Sequence, residues 1–278
     1  MTTQGEKSTS PAGEKPTRRD QQRQATLDEI VRTARASLTA SREISLRAVA
    51  QDMGMTAPAL YRYVSSLEDL TLRVAAQVYD DLLAELEATA APYEGDPAAQ
   101  LVAGAAAFRQ WSLRHPQEFA LTFANPITSM AKTADLPADL LGQEPHPPQP
   151  PPGLMGADCA EAAHRFGGFF GQRVLEVWER DGFPDAGAVA PPPGPGGLGS
   201  SLEAKTGSEV PAEGSWAFVR SWSRLYGTTA LEVFGHIDAE VVESGALFRD
   251  MMTECGDILG LQSRREDLQQ VVAAVLDA

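Results

Sequence analysis

Apolar side chains recur at helical spacing through most of this 278-residue chain, and no segment sustains the period-two alternation of a half-buried strand. Leu27, Ile30, Val31, Ala34 and Leu38 share one face of a helix expected over 26–39. A second pattern starts at Ser45, a good N-cap residue, and sets Leu46, Val49, Ala50 and Met53 on one face until Gly54 ends it. Thr56 can cap a third, short helix, with Pro58 tolerated in its first turn and Leu60 and Val64 turned inward. Ser66 followed by Asp69 resembles a capping box and opens a long helix that carries Leu70, Val74, Val78, Leu82 and Leu86 and stops before Pro92. Further helices are expected over 98–114, around 117–123, and over 158–180, 213–235 and 244–259; a weaker amphipathic candidate uses Leu268, Val271, Val272 and Val275. The stretch 137–152, dense in proline, and the Pro/Gly-rich stretch 184–211 read as loops, and residues 1–17 as a disordered arm. The expected fold class is all-α: a three-helix head over 18–66, a larger helical domain over 67–262 with loops near 137–156 and 184–211, and a tail over 263–278.

Composition excludes several classes. No run of about 18 apolar residues exists, so no spanning helix is expected, and the polar first residues offer no signal-peptide core. Cys159 and Cys255 are too far apart in sequence for a zinc-ligand pair or a disulfide scaffold, and the four histidines show no metal-ligand spacing. A reduced, cytoplasmic chain without cofactor is the expectation. No Gly-x-Ser-x-Gly elbow, phosphate-cradling glycine loop or His-Glu-x-x-His sequence is present, and carboxylates such as Glu176 and Glu179 lack histidine partners at matching spacing. The residues therefore point away from an enzyme.

The formal charge of −15 would argue against nucleic acid, but it is unevenly placed. Residues 1–70 carry ten Lys and Arg against nine Asp and Glu; the rest carry thirteen against twenty-nine. Within that balanced first quarter lies the sharpest pattern, residues 45–66: a helix, a tight glycine-containing turn, and a second short helix. The outward positions of the second helix are Ala57, Tyr61 and Arg62, with Pro58 near its tip. Small residues there let the helix approach base edges in a major groove. Amides near Ser45 and Thr56 can donate to phosphate oxygens, and Arg18, Arg19, Arg23, Arg42, Arg47 and Arg62 supply local positive charge.

The run from Arg47 to Val64, with its Ala59-Leu60-Tyr61-Arg62 core, resembles the helix-turn-helix of the TetR/AcrR transcriptional regulators. The resemblance extends over the preceding helix and the start of the long one. Trp111-Ser112-Leu113-Arg114-His115-Pro116, the stretch from Trp222 to Gly227 and that from Leu231 to His236 resemble a subgroup of that family's regulatory domains. The resemblance implies a helix-turn-helix domain followed by a helical ligand-binding and dimerisation domain. It implies a homodimeric repressor-type regulator that reads double-stranded operator DNA. By position, Thr56 would reach a phosphate through its capping hydroxyl, Ala57 and Pro58 would lie against base edges, and Tyr61 and Tyr63 would reach phosphates. Arg47 would reach a phosphate or a base. Leu67 stands where the family often has Lys, which removes one phosphate contact and predicts a shallower salt dependence, by roughly 0.9 in slope per contact.

Individual positions keep other readings open: Tyr63 can pack inward, Arg62 can pair with Asp69, and Arg18 and Arg19 can belong to an unstructured arm. Trp111, Phe119, Phe123, Phe166, Phe170 and Trp178 are candidates for lining a cavity for an apolar small-molecule effector, with core packing as the other reading. Trp222, Tyr226, Phe234, Leu247 and Met251 are candidates for a homodimer interface, with burial inside the protomer as the other reading. A helical module that binds small molecules or proteins without touching DNA remains the alternative function.

Overall fold

The computed structural model describes residues 17–125, 156–182 and 212–278, and among these every regular element is helical. Residues 1–16 of the expected arm, the proline-rich loop before Gly156 and the loop expected over 184–211 lie outside the described residues. The chain divides into two compact units, Met1–Leu70 and Thr71–Ala278.

In the first unit, α1 (Arg18–Thr39), α2 (Leu46–Asp52) and α3 (Ala57–Leu60) lead to the first turn of α4 (Leu67–Ala90). α1 begins about two turns earlier than the apolar pattern indicates. Its start is fixed by a complete capping box: Asp20 N donates to Thr17 Oγ1 at 3.2 Å, and Thr17 N donates to the Asp20 carboxylate at 3.1 Å. The Thr17 hydroxyl and amide hold the Asp20 carboxyl below its ordinary range. Residues 18–25 bury nothing, so hydrophobic periodicity cannot see them. Thr17 is thus an N-cap rather than part of a disordered arm, and Arg18, Arg19 and Arg23 stand on a helix. The unit's core is formed by Ile30, Val31 and Ala34 of α1, Val49 and Ala50 of α2, and Leu60, Val64 and Leu70.

In the second unit, α4 buries Val74, Val78, Leu82 and Leu86, each four residues after the last. There follow α5 (Pro97–Arg114), α6 (Pro116–Phe119) continued by a π-helical turn (Ala120–Ala124), α7 (Ala157–Asp181), α8 (Ala212–Val233), α9 (Ala239–Ser244), α10 (Ala246–Ile258) and α11 (Arg265–Leu276). α5 is the hub, packed by α7, α8 and α11. It is buried on nearly every side, as befits a helix without a polar face. At Gly104 a Cβ atom would stand 2.3 Å from Cε1 of Phe169, so only glycine admits α7 this closely.

The sequence suggests a marginal C-terminal tail; instead α11 is part of the core. Leu268, Val271, Val272 and Val275 are buried, Gln110 Nε2 donates to the Val275 carbonyl at 2.7 Å, and Arg264 forks onto Asp96 with two bonds of 2.7 Å. The same Asp96 caps α5 by accepting from Ala99 N at 3.2 Å, and its pairing with Arg264 lowers its carboxyl pKa. Four apolar residues look weak alone; the all-round apolar surface of α5 gives them a partner. The helix expected over 244–259 is also revised: Gly245, at φ +62°, separates α9 from α10.

Candidate nucleic-acid interface

The corner between α2 and α3 is built by hydrogen bonds that the sequence anticipates. Ser45 Oγ accepts from Ala48 N at 3.2 Å and starts α2. α2 ends in a Schellman motif: Gly54 N donates to the Gln51 carbonyl at 3.1 Å and Met55 N to the Ala50 carbonyl at 2.8 Å, with Gly54 at φ +63°. α3 itself is one turn long, shorter than expected. Bonds from Tyr61 N to the Ala57 carbonyl and from Val64 N to the Leu60 carbonyl carry its helical path through Val64.

That path sorts the residues cleanly. Leu60 and Val64 are buried, whereas Thr56, Ala57, Pro58, Tyr61 and Arg62 are exposed, Tyr61 by 56%. On a helix, positions 57, 58, 61 and 62 form one continuous stripe. Arg47 is exposed on α2. Leu46 and Met53, expected on the apolar face of α2, are only half-buried, as is Met55. Tyr63 is half-buried with the Arg23 guanidinium 5.5 Å from its ring centre, so it braces the extended start of α1. Asp69 does not take Arg62: its carboxylate accepts from Ser65 N at 2.8 Å and Ser65 Oγ at 3.0 Å, while its own N–H donates to Ser66 Oγ at 3.0 Å. Arg42 stands 3.8 Å from Asp52.

One expectation fails outright. Thr56 makes no side-chain cap bond. An N-cap oxygen accepts from the second or third helical amide; the second here is Pro58, which has no N–H, and the third, Ala59 N, donates to the Thr56 carbonyl at 2.9 Å. The Thr56 hydroxyl is not spent on a cap. Leu67, at the departure from the TetR/AcrR pattern, is 44% exposed.

In the second unit, Phe119, Phe123, Phe166 and Phe170 pack ring against ring with Tyr79, Phe108, Trp222 and Tyr226, at centroid separations of 5.1–6.5 Å. The Tyr79 hydroxyl donates to the Thr122 carbonyl at 3.1 Å, and burial raises its pKa. Trp111 lies outside the cluster against His115 at 5.3 Å, and Trp178 is half-buried. Beside the cluster is a separate apolar cavity of about 50 Å³ between α5, α7, α8 and α10. Of the six expected effector-lining side chains only Phe170 borders it; Trp222, Met252 and Cys255 do too. Periodicity gave no hint, because these positions read as ordinary core.

Among the residues expected at a dimer interface, Trp222 and Tyr226 join the ring cluster, Met251 is buried, Leu247 is half-buried and Phe234 is 43% exposed. Phe234, Leu231 and Val241 are the exposed large apolar side chains among this unit's described residues. Behind them is a buried ion pair that the sequence reading missed: Arg109 Nε meets Glu232 Oε2 at 2.6 Å, and Arg109 Nη2 reaches Glu232 Oε1 at 3.2 Å and the Val242 carbonyl at 2.6 Å. The available signal was one arginine inside an otherwise apolar stretch of α5. Among the described residues no group of His, Cys, Asp and Glu side chains could hold a metal ion, and no helix is long and apolar enough to cross a membrane.

An all-α chain with a helix-turn-helix near its start and a helical second unit has the architecture of a helix-turn-helix transcriptional regulator. Comparison with known proteins makes this specific. Residues 101–255 match the family model described as "Tetracyclin repressor-like, C-terminal domain", and the chain belongs to the TetR family of transcriptional regulators, which are not enzymes. It is 27% identical over 226 residues to HTH-type transcriptional regulator Rv1816 of Mycobacterium tuberculosis, a match spanning 80% of this chain and 81% of that protein. HTH-type transcriptional regulator Rv0681 of the same organism is 32% identical over 84 residues, 30% of this chain and 38% of that protein. The crystal structure of SCO4313 shares the fold, with a TM-score of 0.55 at 22% identity, covering 86% of this chain and 98% of that one.

Proposed function

We propose that the chain is an effector-responsive repressor that binds a near-palindromic operator as a homodimer, each head placing the outward stripe of α3 in a major groove. The observation that carries this reading is the stripe itself: Ala57, Pro58, Tyr61 and Arg62 face solvent while Leu60 and Val64 of the same turn are anchored in the core. Small and aromatic side chains at the centre suit thymine methyls, and Arg62 suits guanine or phosphate. Arg47, on the preceding helix, is free to reach a neighbouring phosphate. The exposed apolar group of Leu231, Phe234 and Val241 supports self-association. Two heads then read half-sites one duplex turn, about 34–36 Å, or a multiple of it apart. An effector acts by favouring a conformation in which that spacing is lost.

The test is a gel shift with the DNA upstream of the chain's own coding region, in excess random competitor and at several salt concentrations. Competitor-resistant retardation that is lost in the Arg47→Ala/Tyr61→Ala double variant, with sedimentation still reporting a dimer, is the expected result. Unchanged retardation by that variant, or retention that random DNA abolishes, overturns the reading and leaves a helical binding module without an operator.

A further inference from the structure

The cavity between α5, α7, α8 and α10 contains a chemical oddity. Its walls, among them Leu101 and Ala105 of α5, Phe170 of α7 and Met252 of α10, are apolar, and no wall residue carries a charge. Yet Ser221 of α8 borders it with a buried hydroxyl oxygen that has no hydrogen-bond partner. A helical serine or threonine ordinarily satisfies its hydroxyl on the carbonyl four residues back. Ser112, Thr122, Ser223 and Thr253 of this unit all do so, at 2.6–2.9 Å. Ser221 does not. Two other α8 hydroxyls, Ser215 and Thr229, are also unpartnered, but neither borders the cavity. The other polar wall side chains are Trp222, whose indole carries an N–H donor, and Cys255, whose thiol lies 3.7 Å from the Ser221 carbonyl; burial pushes the thiol pKa up to about 11, so it stays neutral. A buried hydroxyl without a partner costs stability, and such groups in native proteins call for an explanation.

We propose that this cavity receives a compact, uncharged, mainly hydrocarbon molecule with a single hydrogen-bonding group, which meets Ser221 Oγ. The inference deepens the effector-responsive reading above and rests on it. A charged group is excluded because nothing in the wall would offset its loss of water. A second polar group would meet a wall that is otherwise almost wholly apolar. The cavity, at about 50 Å³, is smaller than the roughly 150 Å³ that admits a benzene ring, so entry displaces wall atoms. Met252 yields most easily, since its unbranched thioether chain repacks at little cost. Because Met252 and Cys255 sit on α10 while Ser221 and Trp222 sit on α8, occupancy bears directly on how those two helices pack.

The experiment uses the full chain and calorimetric titration with three probes of one hydrocarbon skeleton: toluene, p-cresol and 4-methylbenzoate. p-Cresol is expected to bind about two- to tenfold more tightly than toluene, the worth of one neutral hydrogen bond, and 4-methylbenzoate to show no saturable binding. Ser221→Ala should bring p-cresol down to the affinity of toluene or below it, because the cresol hydroxyl then loses its partner, and leave toluene unchanged. Ala105→Phe should lose both while far-ultraviolet circular dichroism is retained; if that variant fails to fold, the Ser221→Ala ratio still decides. An unchanged ratio in Ser221→Ala, carboxylate binding as tight as that of p-cresol, or no saturation by either neutral probe overturns the proposal. Repeating the titration with operator DNA separates the two readings: Ser221-dependent binding that leaves DNA affinity unaltered keeps the site and removes the effector-responsive function.

Discussion

Arg109 and Glu232 show how much one pair of side chains can hold. Both are buried, the guanidinium is forked onto the carboxylate, its remaining reach goes to the Val242 carbonyl, and the Phe248 ring lies 5.2 Å from it. The pair ties α5 to the end of α8 and the start of the α9–α10 segment. A buried pair contributes little over a well-packed apolar substitute, but removing one partner leaves an unpaired charge, at a cost of about 3–5 kcal/mol. Arg109→Ala should therefore lower the denaturant midpoint by that equivalent, and Arg109→Met/Glu232→Leu should recover most of it; an Arg109→Ala midpoint within experimental error of the parent would refute the assignment. Asp96 behaves differently because it is partly solvated. Pairing with Arg264 lowers its pKa in the folded chain, so its contribution is complete above the unfolded value of about 4 and is lost as pH falls through the folded value. Asp96→Asn keeps an N-cap for α5 while removing the charge. At neutral pH it should cost no more than about 1 kcal/mol, and its stability should converge with that of the parent in acid, as followed by urea titrations across pH 2–7.

At the scale of elements, the α2–α3 corner depends on backbone conformation rather than on side-chain space. Gly54 adopts φ +63° with nothing within 4 Å of where a Cβ would stand, so Gly54→Ala is penalised through the backbone alone, by about 1–2 kcal/mol. The variant should melt earlier and lose DNA retention more than a neutral surface change such as Gln51→Ala does, as thermal melts and gel shifts on both would show. This corner was legible in the sequence because its signals are local: Ser45 as cap, Gly54 as stop, and Leu60 and Val64 four apart. The early start of α1 was not, because Thr17 and Asp20 fix it without burying anything. The docking of α11 was not, because its partner surface lies on α5, more than 150 residues earlier. Nor was the cavity, whose walls come from four helices and are distinguished only by a hydroxyl that fails to bend back. Local chemistry reads from the chain; chemistry assembled from distant segments does not.

For the molecule as a whole, the electrostatics pull in two directions. A chain of formal charge −15 repels DNA at long range, and the acidic residues lie mostly beyond residue 70. On the proposed operator-binding reading, attachment comes from short-range contacts by a few cations in the first unit, where Arg18, Arg19, Arg47 and Arg62 are exposed. Such a balance suppresses loose binding to arbitrary duplex while sparing a site where base contacts add to the phosphate contacts. It also makes each cation count. Every phosphate contact contributes about 0.9 to the slope of log affinity against log salt, so on the proposed homodimeric reading, with one Arg47 contact per protomer, Arg47→Gln should reduce the slope by about 1.8. Arg220→Gln, in the second unit, removes the same charge from the same total and should leave the slope unchanged. Equal reductions in both variants would mean that net charge, rather than contact by the first unit, governs binding.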